Sequence, residues 1–310
     1  MINEQCHCEE TRGRRGNLFY IWLKEVRIQF CTAAILPVFV GTALAWSHCH
    51  QFNLGLFILA AFSMALFQMG ANVSNDYFDS LSKNDWFNNN ASPYSGGSQI
   101  IQKKLLSERE VLIGSLILFA SASILGFIIV IITKSIFIFL LGLIGLLGAF
   151  FYTASPIKLG YRTAGEITIG FLFGILPVYG AYYIQTGLIN WIPLLPSILV
   201  AILIFLVIFA NEFADHKADK AVNKNTIVVT FNIKKAAYLY KAALFFVILL
   251  SFLLIKSYIL DLIIFCVCAK CFLDSDPEKL AQDGYFTLSK STVILHTIAG
   301  ASLIIAILML

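Results

Sequence analysis

Asn72-Val73-Ser74-Asn75-Asp76-Tyr77-Phe78-Asp79 closes a long apolar run, and Asp85 follows six residues later. A second stretch of the same character, Asn211-Glu212-Phe213-Ala214-Asp215-His216-Lys217-Ala218-Asp219, closes another. On a helix Asn72, Asn75, Asp76 and Asp79 share one face, and so do Asn211, Asp215 and Asp219 at strict four-residue spacing. His216 points away from that acid face and reads as a surface residue. A carboxylate inside a membrane helix costs roughly 2.5–3.5 kcal/mol at mid-depth on insertion scales, and less near the interface. Two such clusters therefore call for compensating charge, and divalent cations are the natural candidates.

The rest of the chain supplies the membrane context. Of 310 residues, 59% are apolar and 13% charged, against about 25% charged in ordinary globular chains; the mean hydropathy is +0.82. Continuous apolar runs of about twenty residues predict helical spans rather than a barrel of alternating strands. The expected architecture is all-α and polytopic, with about nine spans around a central cavity. They are placed at 19–46, 54–78, 111–133, 135–153, 164–186, 191–212, 236–255, 258–273 and 291–310. Residues 1–18 read as a polar tail and 19–310 as the membrane domain. No cleavable signal peptide is expected, because the first 17 residues are polar and basic.

Of the 22 Lys and Arg residues, only Lys134 and Lys256 fall in loops after odd-numbered spans. The basic side predicts a cytoplasmic N-terminus, with both acid clusters facing the cytoplasm and Trp46 and Trp191 at the opposite interface. The long loops lie on the basic side. One holds Ser92-Pro93-Tyr94-Ser95-Gly96-Gly97-Ser98 beside Lys103 and Lys104, which suits either a phosphate cap or a flexible linker. Cys6-His7-Cys8 and His48-Cys49-His50 lack a second ligand pair at zinc spacing, so neither reads as a metal site. Cys266, Cys268 and Cys271 read as small lipid- or core-facing residues. Asn72-x3-Asp76 and Asn211-x3-Asp215 form a faint internal repeat.

Two facing carboxylate groups ringed by lysines suit a metal-bridged diphosphate, since Mg²⁺ takes a few carboxylates and fills its other positions with water and phosphate oxygens. In a lipid-facing bundle the ligand should carry an anionic head and a hydrocarbon tail, as an isoprenyl diphosphate does. An ion-coupled transporter is the rival, but its sites lie near mid-membrane on broken helices, whereas these clusters end their helices.

Asn75-Asp76-x2-Asp79, Asp215-x3-Asp219 and the nine-span plan resemble the UbiA superfamily of intramembrane prenyltransferases over nearly the whole chain, from Leu36-Pro37-Val38-Phe39-Val40-Gly41 to the last span. Within it, three features resemble the menaquinone branch, the 1,4-dihydroxy-2-naphthoate polyprenyltransferases. The third acid is Asp85, six residues after Asp79; the 4-hydroxybenzoate branch has it after four, where Lys83 stands here. The other two are the loop Tyr152-Thr-Ala-Ser-Pro156-Ile-Lys158-Leu-Gly160-Tyr161-Arg162-Thr-Ala-Gly165-Glu166 and the run Asp219-Lys220-Ala-Val-Asn-Lys224-Asn-Thr226. Arg27-Ile-Gln-Phe30, Ala214 and Asn223 depart from the branch's pattern. The resemblance implies Mg²⁺-dependent transfer of a polyprenyl group from its diphosphate to an aromatic acceptor, with other acceptors as alternatives (4-hydroxybenzoate, a lipid or porphyrin precursor). The partners implied are the polyprenyl diphosphate, the acceptor and the bilayer of a bacterial or archaeal cell, with no nucleic acid.

By the same resemblance Asp76, Asp79 and Asp85 hold one Mg²⁺ and Asp215 and Asp219 the other, with Asn72, Asn75 and Asn211 assisting. Lys158 and Arg162 bind the diphosphate. Tyr152 either stabilises an allylic cation with its ring face or is an interface tyrosine. Glu166 either orients the acceptor or pairs with Arg162 at i, i+4.

Overall fold

The computed structural model describes residues 18–88, 90–282 and 284–309. The Cys6-His7-Cys8 cluster and nearly all of the polar tail lie outside them. Among the described residues the chain is helical with no strand, as its continuous apolar runs dictate. Nine long helices among the described residues carry the fold: α1 Cys31–Cys49, α2 Leu54–Leu81, α3 Glu108–Thr133, α4 Ile136–Thr153, α5 Gly165–Thr186, α6 Leu194–Ala221, α7 Ile227–Ile255, α8 Tyr258–Asp274 and α9 Tyr285–Leu308. Eight spans among the described residues are long and apolar enough to cross a bilayer, the first extending from Leu18 to Cys49. The shorter α8, with 17 residues, is the ninth helix that the sequence led us to expect.

The first span differs from expectation in being broken. Residues 18–25 are helical, Arg27 turns left-handed with φ 51°, and a 3-10 turn Ile28–Phe30 leads into α1. The Val26 carbonyl, freed by the break, accepts a hydrogen bond from Asn72 Nδ2 at 3.0 Å, which satisfies a group that lipid could not. Other boundaries move for local reasons. Ser107 and Glu110 form a capping box that starts α3 at Glu108. Thr226 caps α7, which then kinks at Asn232, where φ is 65°.

Helices α1, α5, α6 and α9 form the inner set, with half or more of their apolar windows buried, while α2, α3, α4 and α7 have less than a third of theirs buried. The inner helices approach closely through small residues. A β-carbon at Gly41 of α1 would stand 2.3 Å from the Val178 carbonyl of α5, and one at Gly174 of α5 would stand 2.5 Å from Ala201 of α6. Gly174 belongs to a π-helical segment, Phe171–Ile175, that interrupts α5. Helices α2 and α6, which carry the two acid motifs, are each 28 residues long and end on the same side of the bundle. Cys268 and Cys271 are buried and Cys266 is exposed, all as free thiols.

Candidate active site

The two motif helices deliver their acids into one cavity at their C-terminal ends. It is lined by Asn72, Asn75 and Asp79 of α2, by Asn211, Glu212, Asp215 and Asp219 of α6, and by Tyr152 at the end of α4. Asp85 enters from a one-turn helix, Asn84–Phe87, just past α2. Away from the acids the walls turn apolar, with Ala33, Ala71, Ile169, Phe173, Ile204 and Val207. The cavity thus has a charged end and a greasy end, which the amphiphilic ligand expected from the sequence requires.

The α2 acids are tightly organised. Asp79 accepts from Asn75 Nδ2 at 3.0 Å and from the Tyr161 hydroxyl at 3.1 Å. Asp76 sits beside the cavity and accepts from the Ser98 backbone N–H at 2.8 Å. Asn72 is held between Gln68 and the Val26 carbonyl. The α6 acids are tied across to the other half: Asn84 Nδ2 donates to Asp219 at 2.8 Å, and Asn88 Nδ2 to Asp215 at 2.7 Å.

Lys224 joins the halves. Its ammonium lies 3.4 Å from Asp79 Oδ2 and 3.5 Å from Asp219 Oδ1, with all three side chains largely buried. Burial alone would lower the lysine's pKa, but the Asp219 and Asp79 charges outweigh it and raise the group well above its ordinary value. Burial, reinforced by Asp79 and Asp76, pushes the Asp85 carboxyl well above the usual carboxylate range. The Tyr161 hydroxyl is raised as well, by burial and then by Asp79.

A strap over the cavity, residues 90–100, is the glycine- and serine-rich loop. Arg27 Nη2 donates to the Tyr94 carbonyl at 3.0 Å and Gln29 Nε2 to the Pro93 carbonyl at 2.9 Å. The Ser98 hydroxyl donates to buried Glu25, and the Gly96 N–H to Asp215 at 3.3 Å. Gly97, with φ +67°, comes so close to the acids that a β-carbon there would stand 2.5 Å from Asp85 Oδ2 and 3.2 Å from Asp76 Oδ1.

These residues fit divalent cations. Asp76 Oδ1, Asp85 Oδ2, Asp219 Oδ2 and Asn211 Oδ1 are buried oxygens without a hydrogen-bond donor, a costly arrangement unless something else binds them. The missing side chain at Gly97 keeps the space over two of them open. Among the described residues no three His, Cys, Asp or Glu side chains converge closely enough to hold an ion by themselves; Mg²⁺ commonly takes one or two carboxylates and fills its other positions with water and phosphate oxygens.

Other expected residues lie elsewhere. Lys158 and Arg162 are not among the cavity lining. Lys158 takes a left-handed turn, φ 47°, and its ammonium lies 4.9 Å from the centre of the Tyr161 ring, while Arg162 donates from Nε to the Ile157 carbonyl. Glu166 is fully buried and neither lines the cavity nor faces Arg162. Its Oε1 accepts the Ile227 N–H at 2.6 Å, satisfying one of the donors left over at the start of α7. Tyr152 is seated by Gly160, where a β-carbon would fall 2.7 Å from the ring. His216, half-buried, bonds through Nδ1 to the Phe213 carbonyl.

Lys224, Tyr161, Asn84, Asn88, Arg27 and Glu212 belong to the site although the sequence did not single them out. Lys224, Tyr161 and Glu212 stand inside the quoted motifs and Arg27 in the run that departs from the branch's pattern, each without an assigned role, while Asn84 and Asn88 carried no signal.

The UbiA prenyltransferase family model matches residues 34–273. A 1,4-dihydroxy-2-naphthoate octaprenyltransferase of Haemophilus influenzae is 32% identical over 185 residues, covering 57% of this chain and 58% of that one. Its namesake in Bacillus subtilis is 28% identical over 192 residues, covering 62% and 60%. The matched region spans about three fifths of the length of these curated relatives. Among solved structures, a UbiA homolog from Archaeoglobus fulgidus bound to GPP and Mg²⁺ superposes with a TM-score of 0.62 at 14% identity, covering 91% of this chain and 99% of that one. A UbiA homolog from Aeropyrum pernix K1 gives 0.64 at 17% identity, covering 90% and 98%. With its family match running through most of the bundle and both acid motifs, the chain belongs to the UbiA prenyltransferase family.

Proposed function

We propose that this protein transfers a polyprenyl group from an allylic diphosphate to 1,4-dihydroxy-2-naphthoate, with loss of the ring carboxylate as CO₂. The observation that carries this reading is the convergence of Asp79 and Asp85 with Asp215 and Asp219 on one cavity whose opposite walls are apolar. The names of the relatives and the six-residue step from Asp79 to Asp85 support the choice of acceptor. The skew of basic residues toward the site end supports a cytoplasmic active site.

Asp76, Asp79 and Asp85 would hold one Mg²⁺ and Asp215 and Asp219 the other. When bound, the ions supply positive charge to the diphosphate oxygens and stabilise the leaving group. Lys224 adds a fixed cation between the two carboxylate sets. The apolar walls exclude water while the allylic C–O bond breaks and its electron pair departs with the diphosphate. Tyr152 presents its ring to the same cavity, where its π-face would stabilise the allylic cation. Arg27, the other cation of the lining, is placed to hold an anionic acceptor. The electron-rich ring carbon then attacks the cation, and the pair from the ring–carboxylate bond restores the aromatic ring as CO₂ leaves.

The test is purified protein in detergent with Mg²⁺, an allylic diphosphate, and 1,4-dihydroxy-2-naphthoate or 4-hydroxybenzoate, with product followed by mass. A prenylated, decarboxylated naphthoquinol whose formation stops with EDTA is the expected result. Product from 4-hydroxybenzoate alone would refute the acceptor, and product from neither would refute the reading.

A further inference from the structure

Gln68 sits midway along α2, at a depth where an amide is costly unless it is paired, and it lines the cavity that holds the acids. Asp79, Asn75, Asn72 and Gln68 step inward along α2 with the same spacing as Asp215, Asn211, Ile208 and Ile204 along α6, and all eight line that cavity. At the first two positions the walls agree, each presenting an acid and then an asparagine. At the next two they part. The α6 wall turns aliphatic, while the α2 wall stays polar over the roughly 16 Å that separate Asp79 from Gln68 at helical rise. The polar wall continues into the break of the first span, because Asn72 holds the carbonyl of Val26, the residue before Arg27.

The direction of the hydrogen bonds fixes what Gln68 offers. The Val26 carbonyl can only accept, so Asn72 must give it Nδ2, at 3.0 Å. Asn72 then turns Oδ1 toward Gln68, which donates to it from Nε2 at 2.9 Å. One N–H and the whole of Oε1 are left at Gln68, and among the described residues no donor meets that oxygen. A freed backbone carbonyl in the first span thus sets, through two amides, the polarity of the cavity wall. Neither a packing role nor a metal role accounts for this: Gln68 lies three helical turns from Asp79, yet it faces the cavity.

We infer that Gln68 Oε1 accepts a hydrogen bond from a ring hydroxyl of the aromatic acceptor and selects acceptors that carry one away from their carboxylate. The inference rests on the proposed function, in which Arg27 holds the acceptor's anionic group. In 1,4-dihydroxy-2-naphthoate the C1 hydroxyl is ortho to the carboxylate and bonds to it internally. The C4 hydroxyl is the donor left for the protein. A site built around that hydroxyl disfavours an analogue without it, because its own oxygen is then covered and unpaired.

The experiment compares wild type with Gln68→Leu, using geranyl diphosphate, 1,4-dihydroxy-2-naphthoate as acceptor and 1-hydroxy-2-naphthoate as competitor. Gln68→Leu is expected to raise KM for the dihydroxy acid about tenfold, as loss of one hydrogen bond does. The Ki of the competitor and KM for the donor should each stay within about twofold. A purely structural role would move all three together. Equal rises in KM and Ki, or an unchanged KM for the dihydroxy acid, overturn the inference. Wild type alone supplies a measurement independent of how the variant folds. As competitors, 4-amino-1-hydroxy-2-naphthoate can donate at C4 and 1-hydroxy-4-methoxy-2-naphthoate cannot, so the amine should bind about tenfold more tightly. Equal Ki values for the two overturn the inference while leaving the proposed activity intact. No prenylated naphthoate from wild type would overturn that activity, and the inference with it.

Discussion

Gly97 lies directly against Asp85, with room for no side chain between the strap and the carboxylate: a β-carbon would stand 2.5 Å from Oδ2. The contact couples the loop to the acids, and it makes the loop's geometry part of the site. Gly97→Ala, at a φ of +67° that alanine resists, must displace either the strap or Asp85. The expected result is a fall in kcat/KM on the order of 100-fold with unchanged membrane yield, measured by product formation on purified protein.

Asp79 and Asp215 stand at the ends of different helices but face the same space. Asp79→Ala or Asp215→Ala should each abolish turnover while the protein still inserts. Product mass and the yield in the membrane fraction check this, and normal activity in either variant would sink the two-cation arrangement.

Lys224 is the sole cation at ion-pair distance from both acid sets among the described residues. Lys224→Met leaves Asp79 and Asp219 buried without it, which should cost about 3 kcal/mol of stability in EDTA. Added Mg²⁺ should recover part of that loss, because it supplies the missing charge. Thermal melting in detergent with and without Mg²⁺ measures both effects.

Arg27 reaches the cavity only because the first span breaks beside it. Arg27→Met should raise KM for the naphthoate acceptor about tenfold and leave KM for the donor nearly unchanged. Initial-rate kinetics with each substrate varied in turn separate the two.

Glu166 acts as an acceptor for the first turn of α7. Glu166→Ala strands the buried Ile227 N–H and should cost about 1–3 kcal/mol. Glu166→Gln keeps a carbonyl acceptor and should melt close to wild type. A raised acceptor KM in Glu166→Gln with unaltered stability would assign the residue to substrate instead.

The acid motifs and the helical plan were legible because both rest on period and hydropathy, which act locally. Asn72, Asn75 and Asp79 fall on one face by helical spacing, and the spans announce themselves by length. The placement of Lys224 between the two acid sets was not legible, for a geometric reason. Helix α6 ends at Ala221, and the chain then folds back so that the Lys224 N–H reaches the Asp219 carbonyl at 2.8 Å. Helical period has no reach beyond that turn. The break at Arg27 carries no Pro or Gly in Glu25-Val26-Arg27-Ile28, and the group that receives the freed carbonyl, Asn72, lies 46 residues away. The family resemblance assigns Lys158 and Arg162 to the diphosphate, whereas neither is among the residues that line the cavity.

The strap's fastening has one further consequence, a reciprocal one. Gly96 and Ser98 donate to Asp215 and Asp76, carboxylates that face cations on the proposed reading, so the loop and the ions draw on the same oxygens. Whatever free energy an ion gains or loses by the strap being closed, the strap gains or loses by the ion being bound. Nicking the chain between Asn90 and Gly97 should therefore alter Mg²⁺ affinity, and Mg²⁺ should alter the rate of nicking. A protease thus becomes a gauge of the metal site that needs neither substrate nor turnover.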